Sequence, residues 1–222
     1  MNKIKIISQI EKKLLYKKQI MPKSKNNKIK LLYFASHFIQ YNIGLFRSIS
    51  KIECLDFEVI FEDKIGLKPA YNKDFNQIIC WDIDLINGYR HKFIKNYSAN
   101  PLGNFFSRIN PSIIPLLIFE KPSYVILHGY SRLSDWILFY TAKFLNIKII
   151  FRGEATLKKN DLIKSWKFKF KNFIISHLLK NCYKVLYSCS GNKKYWEFYK
   201  VKNEKLLFFP CAVDNEFFQS KS

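Results

Sequence analysis

One stretch, Tyr124 to Glu154, does most to limit what this chain can become. It reads YVILHGYSRLSDWILFYTAKFLNIKIIFRGE. Tyr124 to Leu127 is a short apolar run, the size of a buried strand. Ser134 is the expected N-cap of the helix that follows, with Asp135 in its first turn, where the helix dipole favours an anion. Trp136, Ile137, Phe139, Tyr140, Phe144 and Leu145 then recur at helical spacing. Asn146 suits a left-handed stop. Lys148 to Phe151 is a second apolar, β-branched run. Strand, helix and strand within about 30 residues make one βαβ unit, and such units build parallel sheets with right-handed crossovers. Polar residues fall just past the strand ends: His128 after the first, Arg152 and Glu154 after the second. Ligands of open α/β sheets sit outside the carboxyl ends of the strands. His128, Arg152 and Glu154 are therefore expected on one rim.

The rest of the chain extends the same pattern. Ile29 to Ala35 (IKLLYFA) predicts a buried first strand. It leads through a loop, Ser36 to Asn42, into a helix from about Ile43 to Lys51. That loop lacks the GxGxxG glycines of a dinucleotide cradle. Phe57 to Phe61 predicts a second strand. Gly66 to Asn100 is rich in loop residues, with Asn87-Gly88 as a turn pair and a short strand over Lys92 to Ile94. Asp82 and Asp84 alternate onto one face of an extended segment, which reads as solvated rather than as an acid/base pair. Pro111 to Glu120 predicts a short apolar helix. Ile163, Trp166, Phe170, Phe173, Ile174, His177 and Leu178 predict the apolar side of a helix reaching about Asn181. Its other side carries Lys164, Lys167, Lys169, Lys171 and Lys180. Two readings stand for that basic side: a solvated face, or contact with an anionic membrane or phosphorylated lipid. A strand over Val185 to Ser188, a helix over Asn192 to Tyr199 and a strand over Leu206 to Phe209 complete the pattern. The fold class expected is α/β, a Rossmann-like parallel β-sheet flanked by helices. Residues 28–218 form the domain, 1–27 a basic N-terminal extension and 219–222 a tail.

Charge bounds the partners. The 222 residues carry a formal net charge of +21, which favours anionic partners such as nucleic acid, acidic lipid or a phosphorylated substrate. The lysines are spread along the chain, so biased composition is an equally good source of the charge. No RNP, helix-turn-helix or zinc-finger setting frames the basic residues, so no nucleic acid partner is expected. Residues 1–27 read either as a frayed leader or as an amphipathic anchor on an anionic leaflet. The five cysteines show no metal-like spacing and suit reduced thiols in a cytoplasmic protein. No apolar run reaches the roughly 18 residues of a membrane span. The N-terminus has no signal-type apolar core.

The chemistry-bearing candidates are few. No P-loop, GxSxG or HExxH pattern occurs, and no metal or cofactor is expected. His128 reads equally as a satisfied structural histidine or as a substrate contact. Arg152-Gly153-Glu154 sits where a bidentate guanidinium could hold a phosphate or carboxylate, with Gly153 letting the backbone approach a ligand. The same residues also fit an Arg–Glu pair that pins the loop.

These residues resemble a known family. Lys30 to Phe46 (KLLYFASHFIQYNIGLF), Trp81 to Asn96 (WDIDLINGYRHKFIKN), the pair His128-Gly129-Tyr130 and Arg152-Gly153-Glu154, and Pro210 to Phe217 (PCAVDNEF) occur in one order. That order is similar to the N-terminal half of a family 4 glycosyltransferase of the two-Rossmann, GT-B architecture. The resemblance implies sugar transfer from a nucleotide-activated donor, usually with retention, for surface polysaccharide or glycolipid synthesis. It implies no metal or cofactor. The acceptor is a sugar or lipid-linked sugar, and a second domain binds the donor. It gives His128 and Glu154 as catalytic candidates. Ser36, Tyr41, Asn42, Arg152 and Gly153 become acceptor-binding candidates. The chain departs from the family in lacking paired glycines in the first loop and in carrying Cys211 and Ala212 where Asn and Gly are commoner. It ends at Ser222, where the second domain would begin. The expectation is a fragment, split gene product or remnant with little activity alone, cytoplasmic and peripheral at the inner membrane face. In the split-gene alternative a separate chain supplies the C-terminal domain.

Overall fold

The computed structural model describes residues 28–67, 70–72, 76–79, 83–157 and 166–211. The expectations for the extension over residues 1–27, for Asp82, Ile163, Lys164 and Ala212 to Phe217, and for the tail lie outside the described residues. In chain order the elements are β1 (Ile29–Ala35), α1 (Gln40–Ser50), β2 (Leu55–Phe61), β3 (Ala70–Asn72), β4 (Gln77–Ile79) and β5 (His91–Phe93). There follow α2 (Ile113–Glu120), β6 (Tyr124–His128), α3 (Leu133–Phe144), β7 (Lys148–Arg152), α4 (Trp166–Asn181), β8 (Lys184–Tyr187), α5 (Ser190–Phe198) and β9 (Leu206–Phe208).

Seven strands form one sheet in the order β5-β2-β1-β6-β7-β8-β9, with β3 and β4 paired apart from it as an antiparallel hairpin. Every pairing in the large sheet is parallel. The chain builds outward from β1 through β2 to β5, then crosses over to lay β6 on the other side of β1. The sheet's topological switch point therefore lies between β1 and β6. This is a Rossmann-like α/β sheet flanked by helices, as the strand–helix alternation predicts.

Continuous apolar strands are what a sheet covered on both faces requires. Leu32, Phe34, Val125, Leu127, Ile149, Phe151 and Val185 pack beneath α2, α3, α4 and α5. Tyr33, Ala35, Val59, Phe61 and Ile126 face α1 and the segment around Leu85 and Tyr89. Asn146 stops α3 in the left-handed region at φ 56°, as its side chain tolerates.

Three local expectations need correction. Helix α3 starts one residue before Ser134, with Arg132 as its cap; the Asp135 carboxylate accepts from the Arg132 N–H at 2.9 Å. Ser134 is fully buried instead, exchanging hydrogen bonds with the Asn110 amide group and backbone. Helix α1 starts at Gln40, so Tyr41 and Asn42 lie in its first turn and not in a loop. Helix α4 buries Ile175, Leu178 and Leu179, while Trp166, Phe170 and Phe173 face outward. The aromatic spacing was helical, but the stripe meeting the sheet lies on the aliphatic side.

Candidate functional site

Strand parity decides which side chains meet at the switch point. His128 and Arg152 are the last residues of β6 and β7 and stand directly opposite each other in register. His128 shares the face of Ile126, and Arg152 that of Ile150, both turned toward α1. Tyr33, on the neighbouring strand β1, points the same way. Asn42 comes down from the first turn of α1 and is buried.

The Arg152 guanidinium, only 3% exposed, ties these groups together. One terminal nitrogen donates to the Tyr33 hydroxyl at 2.9 Å and to Asn42 Oδ1 at 3.0 Å. The other donates to Glu154 Oε1 at 3.2 Å and lies 3.9 Å from Cys211 Sγ. The Phe209 ring lies 5.4 Å from the guanidinium carbon. Burial works against the Arg152 charge, but Tyr33 and Glu154 outweigh it and hold its pKa up. The fork is thus satisfied inside the protein. Arg152 orients its neighbours rather than presenting a free bidentate grip.

Hydrogen-bond direction then sets the histidine tautomer. The Tyr33 hydroxyl receives from Arg152, so its own hydrogen goes to His128 Nδ1 at 3.0 Å. Burial, followed by the Arg152 charge, pushes His128 down to about 3, so the ring is neutral near pH 7. A neutral ring accepting at Nδ1 carries its proton on Nε2. That Nε2–H looks toward Glu154 Oε1 across 3.9 Å, too far for a direct hydrogen bond. Glu154 is 40% exposed at its side chain and also accepts from the Tyr41 hydroxyl. Burial and then the Glu154 charge hold the Tyr41 hydroxyl above its usual pKa. The Tyr33 hydroxyl is pushed up to about 12, by burial above all.

Of the seven predicted site residues, His128, Arg152, Glu154, Tyr41 and Asn42 come together here. Gly153 and Ser36 do not join them. Gly153 lies on the opposite face, where an added Cβ would come within 3.1 Å of the Phe151 and Trp196 rings. Its missing side chain makes room for core aromatics. Ser36 Oγ bonds His37 Nδ1 at 2.7 Å, and its carbonyl accepts from Arg108 Nε at 3.1 Å. Gly129, at φ 104°, makes the turn that follows His128, a conformation glycine adopts without strain. Its N–H donates to the Arg152 carbonyl at 3.0 Å and fixes the two strand ends together. Asp84 is exposed and caps its own turn, accepting from the backbone of Ile86 and Asn87. These bonds hold its carboxyl below the usual range. The solvated reading of Asp84 fits this geometry.

A second polar cluster on the same rim escaped the sequence reading. Glu62 follows β2 directly, as Arg152 ends β7, and both Glu62 and Asp135 are buried. Burial, reinforced by Asp135, pushes Glu62 up to about 8; burial likewise raises Asp135, to about 6. Glu62 Oε2 has no hydrogen-bond partner among the described residues. Arg108 braces this side through the carbonyls of Ser36, Pro101 and Ser107. The available signal was the position: a carboxylate immediately after the apolar end, Val59 to Phe61, of a strand.

No family model matches this chain, and no curated protein matches it. Solved structures do. The chain is similar to a UDP-N-acetylglucosamine 2-epimerase at 12% identity and TM-score 0.51, over 82% of this chain and 48% of that one. It is also similar to Anabaena Alr3699/HepE in complex with UDP and glucose, at 7% identity and TM-score 0.55, over 86% of this chain and 46% of that one. The chain therefore spans about half the length of the solved structures it matches. At these identities the likeness is one of fold, that of a single Rossmann-like α/β unit matching about half of each GT-B-like neighbour.

Proposed function

We propose that this chain is the acceptor-binding half of a nucleotide-sugar-dependent glycosyltransferase acting in cell-surface polysaccharide or glycolipid synthesis. One observation carries the proposal: the 3.9 Å gap between His128 Nε2 and Glu154 Oε1 at the sheet's switch point. A hydroxyl oxygen set to one side of the line joining them can lie at about 2.8 Å from each, an ordinary hydrogen-bond length. It would accept from the neutral imidazole and donate to the carboxylate. That is how an acceptor sugar hydroxyl is aligned for transfer, with Glu154 taking up its proton as the bond to the sugar forms. Arg152 and Tyr33 are positioning residues in this reading. Tyr41 offers an aromatic face and a hydroxyl beside the same gap. A second Rossmann unit holds the donor and stabilises the departing diphosphate, and turnover depends on it. The GT-B-type neighbours, about twice as long as this chain, support that division of labour.

Ligand-observed NMR of the purified chain tests the acceptor role. The expected result is saturation transfer to lipid-linked or free saccharide acceptors, weakened in Glu154→Gln, with little transfer to UDP-sugars. Strong binding of a UDP-sugar and none of any acceptor would overturn the assignment. A configurational change in a free UDP-sugar, with no acceptor present, would instead mark an epimerase.

A further inference from the structure

Cys211 reaches the switch-point cluster although its own strand does not. Strand β9 lies two places from β7 in the sheet, with β8 between them. The chain leaving β9 therefore turns back across the end of β8 to meet Arg152. Phe209 anchors that turn. It is buried, its N–H donates to the Tyr187 carbonyl at 2.8 Å, and its ring faces the Arg152 guanidinium. Two residues on, Cys211 Sγ lies 3.9 Å from Arg152, and its thiol points at Glu154 Oε1 across another 3.9 Å.

Three groups thus converge on one carboxylate oxygen. Arg152 donates to Glu154 Oε1 at 3.2 Å, the thiol borders it, and the His128 Nε2–H faces it across the gap. The His128 side chain is only 16% exposed, and its Nε2–H has no hydrogen-bond partner among the described residues. A buried donor aimed into an open gap calls for an outside acceptor atom. Of the groups around Oε1, the thiol is the weak donor, and it is exposed while Arg152 is buried. A sugar hydroxyl is the stronger donor. It takes the oxygen from the thiol and brings its own carbons against the sulfur, a polarizable surface that suits them.

We propose that Cys211 is a contact residue of the acceptor site: its thiol holds the place of the acceptor hydroxyl on Glu154 Oε1, and its sulfur limits what the acceptor carries beside that hydroxyl. The inference rests on the acceptor-binding reading of this chain. Its consequence is that a seated acceptor and free access to the Cys211 sulfur exclude each other.

Site-resolved alkylation of the full chain tests this. Iodoacetamide is the probe, mass spectrometry of peptides follows each thiol, and saturation transfer reads saccharide binding on the same samples. Cys189 is also exposed and serves as the internal control. A saccharide acceptor at about ten times its Kd should slow alkylation of Cys211 about tenfold, as the unbound fraction falls, and leave Cys189 at its own rate. The alkylated chain should bind the acceptor about tenfold less tightly or worse, the loss expected where a hydrogen bond to a charged group goes unmade. Cys211→Ser should make binding indifferent to iodoacetamide. Cys211→Trp should abolish binding yet unfold at the parent temperature, since the side chain lies outside the core. A saccharide that binds and leaves Cys211 as reactive as before overturns the inference and spares the acceptor reading. So does a loss of binding on alkylation that persists in Cys211→Ser, which assigns the effect to another thiol. Binding of no saccharide at all overturns both.

Discussion

Two polar clusters share the carboxyl rim of this sheet and differ in how their charges are met. Around Arg152 the buried cation has a partner for each terminal nitrogen. Its counter-ion, Glu154, reaches solvent. Around Glu62 two carboxyls are buried together, and Glu62 Oε2 finds no partner among the described residues. Burial therefore acts on them in opposite senses. It keeps His128 unprotonated on one side and Glu62 protonated on the other. A buried charge is tolerated where its hydrogen bonds are complete, and where they are not the group neutralises instead. The first cluster thus keeps a buried cation paired at the rim. The second serves as a brace whose state depends on pH.

Removing the cation should break the first cluster outright. Arg152→Met deprives the buried Tyr33 hydroxyl and Asn42 Oδ1 of their donor, at about 1–3 kcal/mol each, so about 2–6 kcal/mol in all. Urea unfolding at pH 7 measures this. A loss under about 1 kcal/mol would show that the network is rebuilt by water.

The pH dependence separates the clusters by sign. The folded pKa of Glu62, about 8, lies above its ordinary 4.5, so the native state binds the extra proton between those values. Its stabilising effect is full below pH 4.5 and is lost as pH rises through 8. The folded pKa of His128, about 3, lies below its ordinary 6.5. Its contribution is present above pH 6.5 and is lost as pH falls toward 3. His37, lowered to about 4 chiefly by burial, adds to that acid limb, while Asp135, raised by burial, offsets part of it. Stability should therefore peak between the two limbs, each sloping by at most about 1.4 kcal/mol per pH unit and group. Glu62→Gln should flatten the alkaline limb and leave the acid limb. His128→Gln should reduce the acid limb alone. Unfolding free energies from pH 4 to 9 decide it; an alkaline limb that persists in Glu62→Gln would assign it to another group.

The βαβ core was legible because alternation and length suffice for strands covered on both faces. The convergence of His128, Arg152 and Glu154 was legible too, since polar residues ending apolar strands must lie on the rim. Arg152 and Glu154 share one face of β7 and its continuation, and Gly153 takes the other, against Phe151 and Trp196. Tyr33 was hidden because a tyrosine inside IKLLYFA looks like core; only its hydroxyl, at the strand's end, is functional in kind. Glu62 was hidden because it ends a strand outside the βαβ unit that already carries two carboxylates, Asp56 and Glu58. The α4 stripe misled because phenylalanine spacing gives a helix period but not which side meets the sheet.

Tyr33→Phe should sharpen the comparison with a smaller effect. The ring stays in the core, and the variant removes one acceptor from Arg152 and one donor from His128. The expected loss is about 1–2 kcal/mol. Its second readout is specific to the tautomer. With Nδ1 no longer receiving a hydrogen bond, the Nε2–H form loses its preference, and nitrogen chemical shifts of His128 should move toward the average of the two tautomers. Unchanged shifts would mean that Arg152 and Tyr33 do not set the histidine's proton.

Glu154→Gln should be the mildest for stability and the most telling for function. The carboxylate is partly solvated, and such a pair with Arg152 contributes about 0–1 kcal/mol. The amide keeps the size and one acceptor oxygen, so Arg152 and Tyr41 retain a partner. What it removes is the group able to take a proton across the gap from His128 Nε2. Thermal unfolding should shift little while acceptor binding weakens, and transfer reconstituted with a donor-binding domain should fall further than binding does. That excess separates a group acting on the reacting hydroxyl from one that only holds the acceptor, because a purely binding contact is lost equally in ground and transition states. A parallel loss in both would make Glu154 an acceptor contact and leave the rim without a base.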